Sequence, residues 1–186
     1  MFFPMIDLSS FSNPSFSRGA PLWKELAWLF ISAMFFRHDL SLLSRPKVWW
    51  LRRFGARVGK GVLIKPSVQI KFPWKLSIGD HSWIGEHVWI DNLERVDIGA
   101  NVCISQGALL LTGNHDYTKP TFDLIVKPIT LEDGVWIGAR AVVGPGIRAR
   151  THAVLAVGSV ATQELEAYGV YRGNPAERVK ERELNS

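Results

Sequence analysis

The chain has 186 residues, 47% hydrophobic and 21% charged, with 22 Lys and Arg against 17 Asp and Glu for a formal net charge of +5. That length allows one domain with a core and a small appendage rather than two large domains. The composition excludes a disordered chain, and Cys103, the sole cysteine, excludes an internal disulfide framework and suits a reducing compartment.

Residues 1–20 are rich in Ser, Phe, Pro and Asn without a period, and are expected to form an irregular arm. Residues 1–11 lack the basic start of a secretory signal and contain Asp7. The longest apolar run, 26–36, includes Ser32 and falls short of the ~20 residues of a spanning helix, so a cytoplasmic protein is expected. Pro21, well suited to a first helical position, opens a helix to residue 37 that is apolar nearly all round and has to be covered by something. A second helix is expected from Ser44 as cap, through Pro46, to a stop at Gly55. Its Arg45, Lys47, Arg52 and Arg53 accompany Val48, Trp49, Trp50 and Leu51. The expected arrangement packs this helix on the repeat that begins at Val58, with the charges in water; a peripheral contact with a membrane interface competes with it. The modest positive excess suits an anionic ligand, an anionic membrane or a plain solvated surface.

From Val58 onward the hydrophobic period is six, which belongs to neither an α-helix nor an ordinary strand and points to a β-helix of hexapeptides. The frame runs Val58, Ile64, Ile70, Leu76; Ile78, Ile84, Ile90, Val96; Ile98, Ile104, Leu110; and, after an interruption, Leu131, Ile137, Val143, Ala149, Leu155, Ala161. Residues 58–115 make three coils of three hexapeptides, with two extra residues after each of the first two coils. Residues 131–166 make two more, enough for a continuous core. Glycine follows the aliphatic residue at Gly59, Gly79, Gly85, Gly99 and Gly138, where a chain turning a corner is expected to use its φ/ψ freedom. Cys103, after Val102 inside the repeat, reads as a buried small hydrophobe. Between the two blocks, 116–130 loses the period, and an excursion of that length in a solenoid points to function or disorder. The expected division is an arm and helices over 1–57, the β-helix over 58–166 with its inserted loop 116–130, and a tail over 167–186. In the tail, Gly173-Asn174-Pro175-Ala176-Glu177 reads as the start of a short basic helix carrying Arg178 and Lys180.

Of the histidines His38, His81, His87, His115 and His152, His81 and His87 stand one hexapeptide apart, on different faces of a prism, and cannot share an ion. His115 has Pro120 where a partner five residues on would stand, so no metal site is expected. His115 is distinguished by position: it ends the third coil at the root of the loop, where a scaffold holds a side chain within reach of a substrate. Asp116, adjacent to it in an extended segment, points the other way and is not its expected partner.

The repeat, Thr112-Gly113-Asn114-His115-Asp116, Leu131-Glu132-Asp133-Gly134-Val135-Trp136-Ile137-Gly138, the Gly158-Ser159-Val160 turn and the terminal Gly173-Asn174-Pro175-Ala176 together resemble the left-handed β-helix (hexapeptide-repeat) acyltransferases. Ile70-Lys71-Phe72-Pro73-Trp74-Lys75-Leu76, Ile104-Ser105-Gln106 and the Trp-rich helical start are similar, more specifically, to the colanic acid biosynthesis acetyltransferases. The likeness spans about residues 15–183. It implies an all-β, left-handed parallel β-helix with short helices at both ends, against the usual right-handed crossover. It also implies a homotrimer, and transfer of acetyl from acetyl-CoA to a sugar hydroxyl of an exopolysaccharide or its lipid-linked precursor. His115 is the implied general base, since an imidazole titrating near neutrality can take the hydroxyl proton during attack on the thioester. Backbone N–H groups of a neighbouring coil edge are the expected oxyanion donors. The family lays pantetheine along backbone near Gly138, Ala139, Val157 and Gly158, with Arg172, Arg178 and Lys180 as late cations for the phosphates. Gln163 stands where relatives carry a lysine, and Gly85 and Leu93 stand where related sugar acetyltransferases place an Asn and an Asp. Asp91, Asn92 and Gln106 are the remaining candidates for holding the acceptor. Nucleic acid is not an expected partner. Two rivals remain: a CoA-dependent acyltransferase with an amino or different alcohol acceptor, and a catalytically silent hexapeptide scaffold, which would show a blocked groove or no CoA binding.

Overall fold

The computed structural model describes residues 5–14 and 16–184, so residues 1–4 and Ser15 of the expected arm and 185–186 of the tail lie outside the described residues. The first coil is β1 (Arg57–Val58), β2 (Leu63–Ile64) and β3 (Gln69–Ile70); the second is β4 (Leu76–Ile78), β5 (Trp83–Ile84) and β6 (Trp89–Asp91); the third is β7 (Val96–Ile98), β8 (Cys103–Ile104) and β9 (Leu109–Leu111). A hairpin of β10 (Gly113–His115) and β11 (Leu124–Val126) interrupts. The fourth coil is then β12 (Ile129–Leu131), β13 (Trp136–Ile137) and β14 (Val142–Val143), and the fifth β15 (Arg148–Ala149), β16 (Val154–Leu155) and β17 (Val160–Ala161). Strands of equal rank stack in parallel into three faces of a prism, β1-β4-β7-β12-β15 on the first, β2-β5-β8-β13-β16 on the second and β3-β6-β9-β14-β17 on the third. The fold is a left-handed parallel β-helix.

The six-residue frame is the core: Ile64, Ile84, Ile104, Ile137 and Leu155 stack in register along the second face, and every frame residue except half-buried Val58 is buried. The glycines after the frame residues act differently from expectation. None has positive φ; within the coils the left-handed residues fall three after the frame position, among them Gly61, His81, His87, Asn101 and His152. Gly79 and Gly138 are instead required by close stacking, since a Cβ on Gly79 would lie 2.5 Å from the Ala100 nitrogen and one on Gly138 2.6 Å from the Val157 nitrogen. His81, His87 and His152 thus sit at tight corners, a conformation for which histidine is enriched.

Outward residues differ by face. The first face shows Arg57, Ser77, Asp97, Thr130 and Arg148. The second shows Leu63, Trp83, Cys103, Trp136 and Val154, and the third Gln69, Trp89, Leu109, Val142 and Val160, apolar apart from Gln69. Cys103 is therefore half-buried between two tryptophans on the outer surface and not a core residue, because Ile104 takes the inward position and neighbours in a strand alternate.

The first coil has no coil beneath it, and its open strand edges are closed by two helices, α1 (Leu22–Phe35) and α2 (Ser44–Arg53). Each edge receives specific donors, as buried backbone groups require. The Arg52 guanidinium donates to the carbonyl of Val58 on β1 and to that of Gly59 just after it. The Ser44 hydroxyl accepts from Ile64 N at 2.9 Å on β2, and the Trp28 indole donates to Ile70 O at 2.8 Å on β3. Lys47 is fully buried, its ammonium reaching the carbonyls of Ser41, Ile64 and Lys65; burial lowers its pKa to about 8. Ser44 therefore serves as an edge clamp and does not cap its helix. Among the described residues no helix is long and apolar enough to cross a membrane.

The tail forms no helix. β18 (Gly169–Gly173) continues the second face on β16, and β19 (Ala176–Glu181) returns antiparallel to it, the two joined by a turn holding Gly173 and a cis Asn174–Pro175 bond. The local helix signal at Asn174 loses to the open edge of β18, whose backbone groups need a partner. The charged side chains of β19 then make a poor template for further pairing.

Candidate active site

Three corners separate the faces, and each collects its own residues. The third corner, between the third face and the next coil, holds Asp91 and Asn92 in the second coil; in the third coil it opens into the β10–β11 hairpin. Thr112 anchors the neck by donating through its hydroxyl to Asp91 O at 2.9 Å and accepting Lys127 N on its own carbonyl at 2.9 Å. The excursion that loses the period is thus an ordered hairpin. At its tip, Asp116 is bound to the N–H and hydroxyl of Thr118, whose hydroxyl and then backbone hydrogen bonds hold its carboxyl below the usual range. Asp116 turns to the tip and away from His115.

His115 is held by the segment that leads into β11. Its Nδ1 lies 2.8 Å from the carbonyl oxygen of Phe122. A carbonyl only accepts, so Nδ1 carries the proton and Nε2 presents a lone pair. The ring stacks on Phe122 at 4.4 Å and 8°, with Phe11 of the arm at 5.9 Å. Nothing in residue spacing marked Phe122 as the orienting residue, because its contribution comes from a backbone carbonyl and a ring face. The other histidines have separate surroundings: Nε2 of His38 meets Met34 O, His87 faces Asp39, and His152 stacks on Tyr168. Among the described residues no group of three or more His, Cys, Asp and Glu is placed to hold a metal ion.

At the third corner Asn92 departs from its expected role. It is fully buried, and its amide donates to Phe72 O at 2.7 Å while its Oδ1 accepts from Phe72 N at 2.9 Å, so both ends are spent joining two coils. Asp91 lies 2.9 Å from the Lys71 ammonium and lines a cleft under α1 with Gln69, Arg37 and Trp89.

The second corner, between the second and third faces, brings together the four residues expected along pantetheine. Gly138 N donates to Leu155 O at 2.7 Å and Gly158 N to Ala139 O at 2.8 Å, so Gly138 and Ala139 lie directly beneath Ala156 and Val157, with Gly158 next along the same corner. Val157 is exposed, and the space around Gly158 is open for 4 Å from a built Cβ. One coil below, Gln106 accepts Arg140 N on its carbonyl and lines a groove with Gly85, Glu86, Trp83 and Cys103. Trp136 walls it above, its indole donating to Ser105 Oγ at 2.9 Å.

The three late cations separate. Arg172 adjoins Gly173, whose N–H donates to Ser159 Oγ at 3.0 Å, which sets it beside the second corner. Lys180 pairs with Val170 across the ribbon and lines a hollow with Trp136 and Val154. Arg178 opposes inward-facing Tyr171, on the other side of the ribbon, and lies 3.8 Å from Glu181. His115 and the Gly138–Gly158 groove thus occupy different corners of one prism, a full face apart, roughly 20 Å of extended chain.

No protein-family model matches the chain. It is 38% identical to the protein of Escherichia coli (strain K12) named "Putative colanic acid biosynthesis acetyltransferase WcaF", over 96% of this chain and 98% of that one. It is 27% identical to the galactoside O-acetyltransferase of the same organism, over 70% of this chain and 66% of that one. Among solved structures, a hexapeptide-repeat acetyltransferase of Vibrio cholerae complexed with acetyl-CoA superposes with a TM-score of 0.78 at 23% identity, covering 87% of this chain and 88% of that one.

Proposed function

The chain belongs to the hexapeptide-repeat acetyltransferases of the colanic acid biosynthesis type, and from that premise we propose that it transfers acetyl from acetyl-CoA to a sugar hydroxyl in exopolysaccharide assembly, with His115 as general base. The observation that carries this reading is the Nδ1–H bond of His115 to the Phe122 carbonyl, which leaves Nε2 free to accept a proton. In the proposed step the acceptor hydroxyl gives its proton to Nε2 as its oxygen attacks the thioester carbonyl. The tetrahedral oxyanion then collapses, expelling the CoA thiolate, which recovers the proton from the imidazolium. No covalent enzyme intermediate is required.

The separation of His115 from the groove supports a homotrimer in which the third corner of one subunit meets the second corner of its neighbour. The apolar outward columns of the second and third faces, against a polar first face, favour burial of two faces per subunit. The acceptor would then lie between Gln106 of one subunit and His115 with Asp91 of the next. The pantetheine arm would follow Gly138, Ala139, Val157 and Gly158, with Arg172 as the nearest cation for phosphate and Lys180 farther across the ribbon.

An acceptor screen with labelled acetyl-CoA tests the reading. Label is expected on a sugar in a form released by mild alkali, as an ester is and an amide is not. Alkali-stable label, or CoA binding without transfer to any saccharide, would refute it.

A further inference from the structure

Helix α1 is two-faced in an unusual sense. Its inner side packs Trp28, Ser32 and, just past its end, Phe36 on the prism, while its exposed arc consists of Leu22, Trp23, Leu26, Leu29, Phe30 and Met34 with Ala33 and no polar residue. Trp23 is 70% exposed and Phe30 66%. A stripe of this size facing water marks an interaction surface. Around it the charge is one-sided: residues 18–60 hold nine Lys and Arg against Glu25 and Asp39, a net +7 that exceeds the +5 of the entire chain. Arg45 and Arg53 of α2 are exposed, whereas Lys47 and Arg52 are committed to the edges of the first coil.

We propose that the helical end of the molecule binds an anionic membrane surface, with the outward stripe of α1 lying among the lipid headgroups and upper acyl chains. An apolar helical arc with aromatic residues, set in a cationic surround, has the composition of an interfacial helix. A second copy docked stripe to stripe is the poorer occupant, because two such ends would then face each other with like charge. The outward columns of the second and third faces, moreover, offer apolar surface outside the cationic end. The larger apolar surface is that of α1; on α2, Trp49 is exposed as well, whereas Trp50 packs against the core. This inference does not rest on the reading of the active site, since binding to vesicles needs no turnover.

Flotation of the full chain with phosphatidylcholine vesicles, with and without phosphatidylglycerol, tests it. Co-flotation is expected with the anionic vesicles, weakened by salt and by R45E/R53E, and reduced roughly ten-fold or more in W23E/F30E. Melting temperature and sedimentation coefficient should stay unchanged in both variants. As a measurement that needs no variant, bilayers with brominated acyl chains should quench part of the wild-type tryptophan emission. Failure of the wild type to float, unquenched emission, or a smaller sedimenting species in W23E/F30E would overturn the proposal, the last by showing that the stripe is buried between copies.

Discussion

His115 and Lys47 show what single side chains contribute at opposite ends of the prism. With Nδ1 tied to a carbonyl and the ring stacked on Phe122, the imidazole is oriented before any substrate arrives. His115→Ala is expected to lower turnover by about two to four orders of magnitude with CoA affinity nearly unchanged, as measured by steady-state kinetics and calorimetry. His81→Ala and His87→Ala, at corner positions, should stay within a few fold in turnover. Lys47 instead serves the fold. Replacing it by Met strands the carbonyl oxygens of Ser41 and Lys65, while Ile64 O keeps the Ser44 hydroxyl as donor, and is expected to cost about 2–4 kcal/mol in urea unfolding. Its folded pKa of about 8 lies below the usual 10.5. Between those values the unfolded chain holds a proton that the folded chain has shed, so stability rises with pH across that window. Urea midpoints at pH 8 and 9.5 should show that rise in the wild type and a smaller one in Lys47→Met.

At the scale of elements, the coil is limited by how closely successive turns approach. Gly79→Ala would force its Cβ against the Ala100 backbone and is expected to destabilise by about 2–4 kcal/mol. Gly158→Ala meets open space and only the strain of a positive φ, about 1 kcal/mol; thermal melts of the two variants give the comparison. The capping elements obey a different rule, set by unpaired strand edges. α2 places Ser44, Lys47 and Arg52 on one end of the prism, and β19 closes β18 at the other. Asn174, Pro175 and Glu177 form a sound helix-start signature, but the edge beside them is a stronger local partner than helix formation.

For the whole molecule, the candidate groups divide between two corners that a single prism keeps apart. If a neighbour completes the site, His115→Ala chains and groove-blocked Val157→Trp chains, each inactive alone, should recover roughly a quarter of wild-type activity when co-assembled one to one, the fraction of junctions that randomly join an intact histidine to an intact groove. No recovery in mixed assemblies of confirmed composition would place the whole reaction within one chain.

The six-residue period, the place of the excursion at the end of the third coil, and His115 at its root were all legible in the residues, because a solenoid repeats its contacts at fixed spacing and its side chains alternate strictly between inside and outside. The position of Gly138 and Ala139 under Ala156 and Val157 follows from the same spacing. What required the tertiary structure depends on groups that carry no residue-type signal. The Phe122 carbonyl that sets the tautomer of His115 is one. The amide of Asn92, spent on the Phe72 backbone and not on an acceptor, is another, as are the close approach that fixes Gly79 and the open edge that turns the tail into β19. Side-chain chemistry is written locally in the chain, whereas backbone groups become partners only when distant coils are stacked, and that stacking decided which of the candidate residues remain free to act.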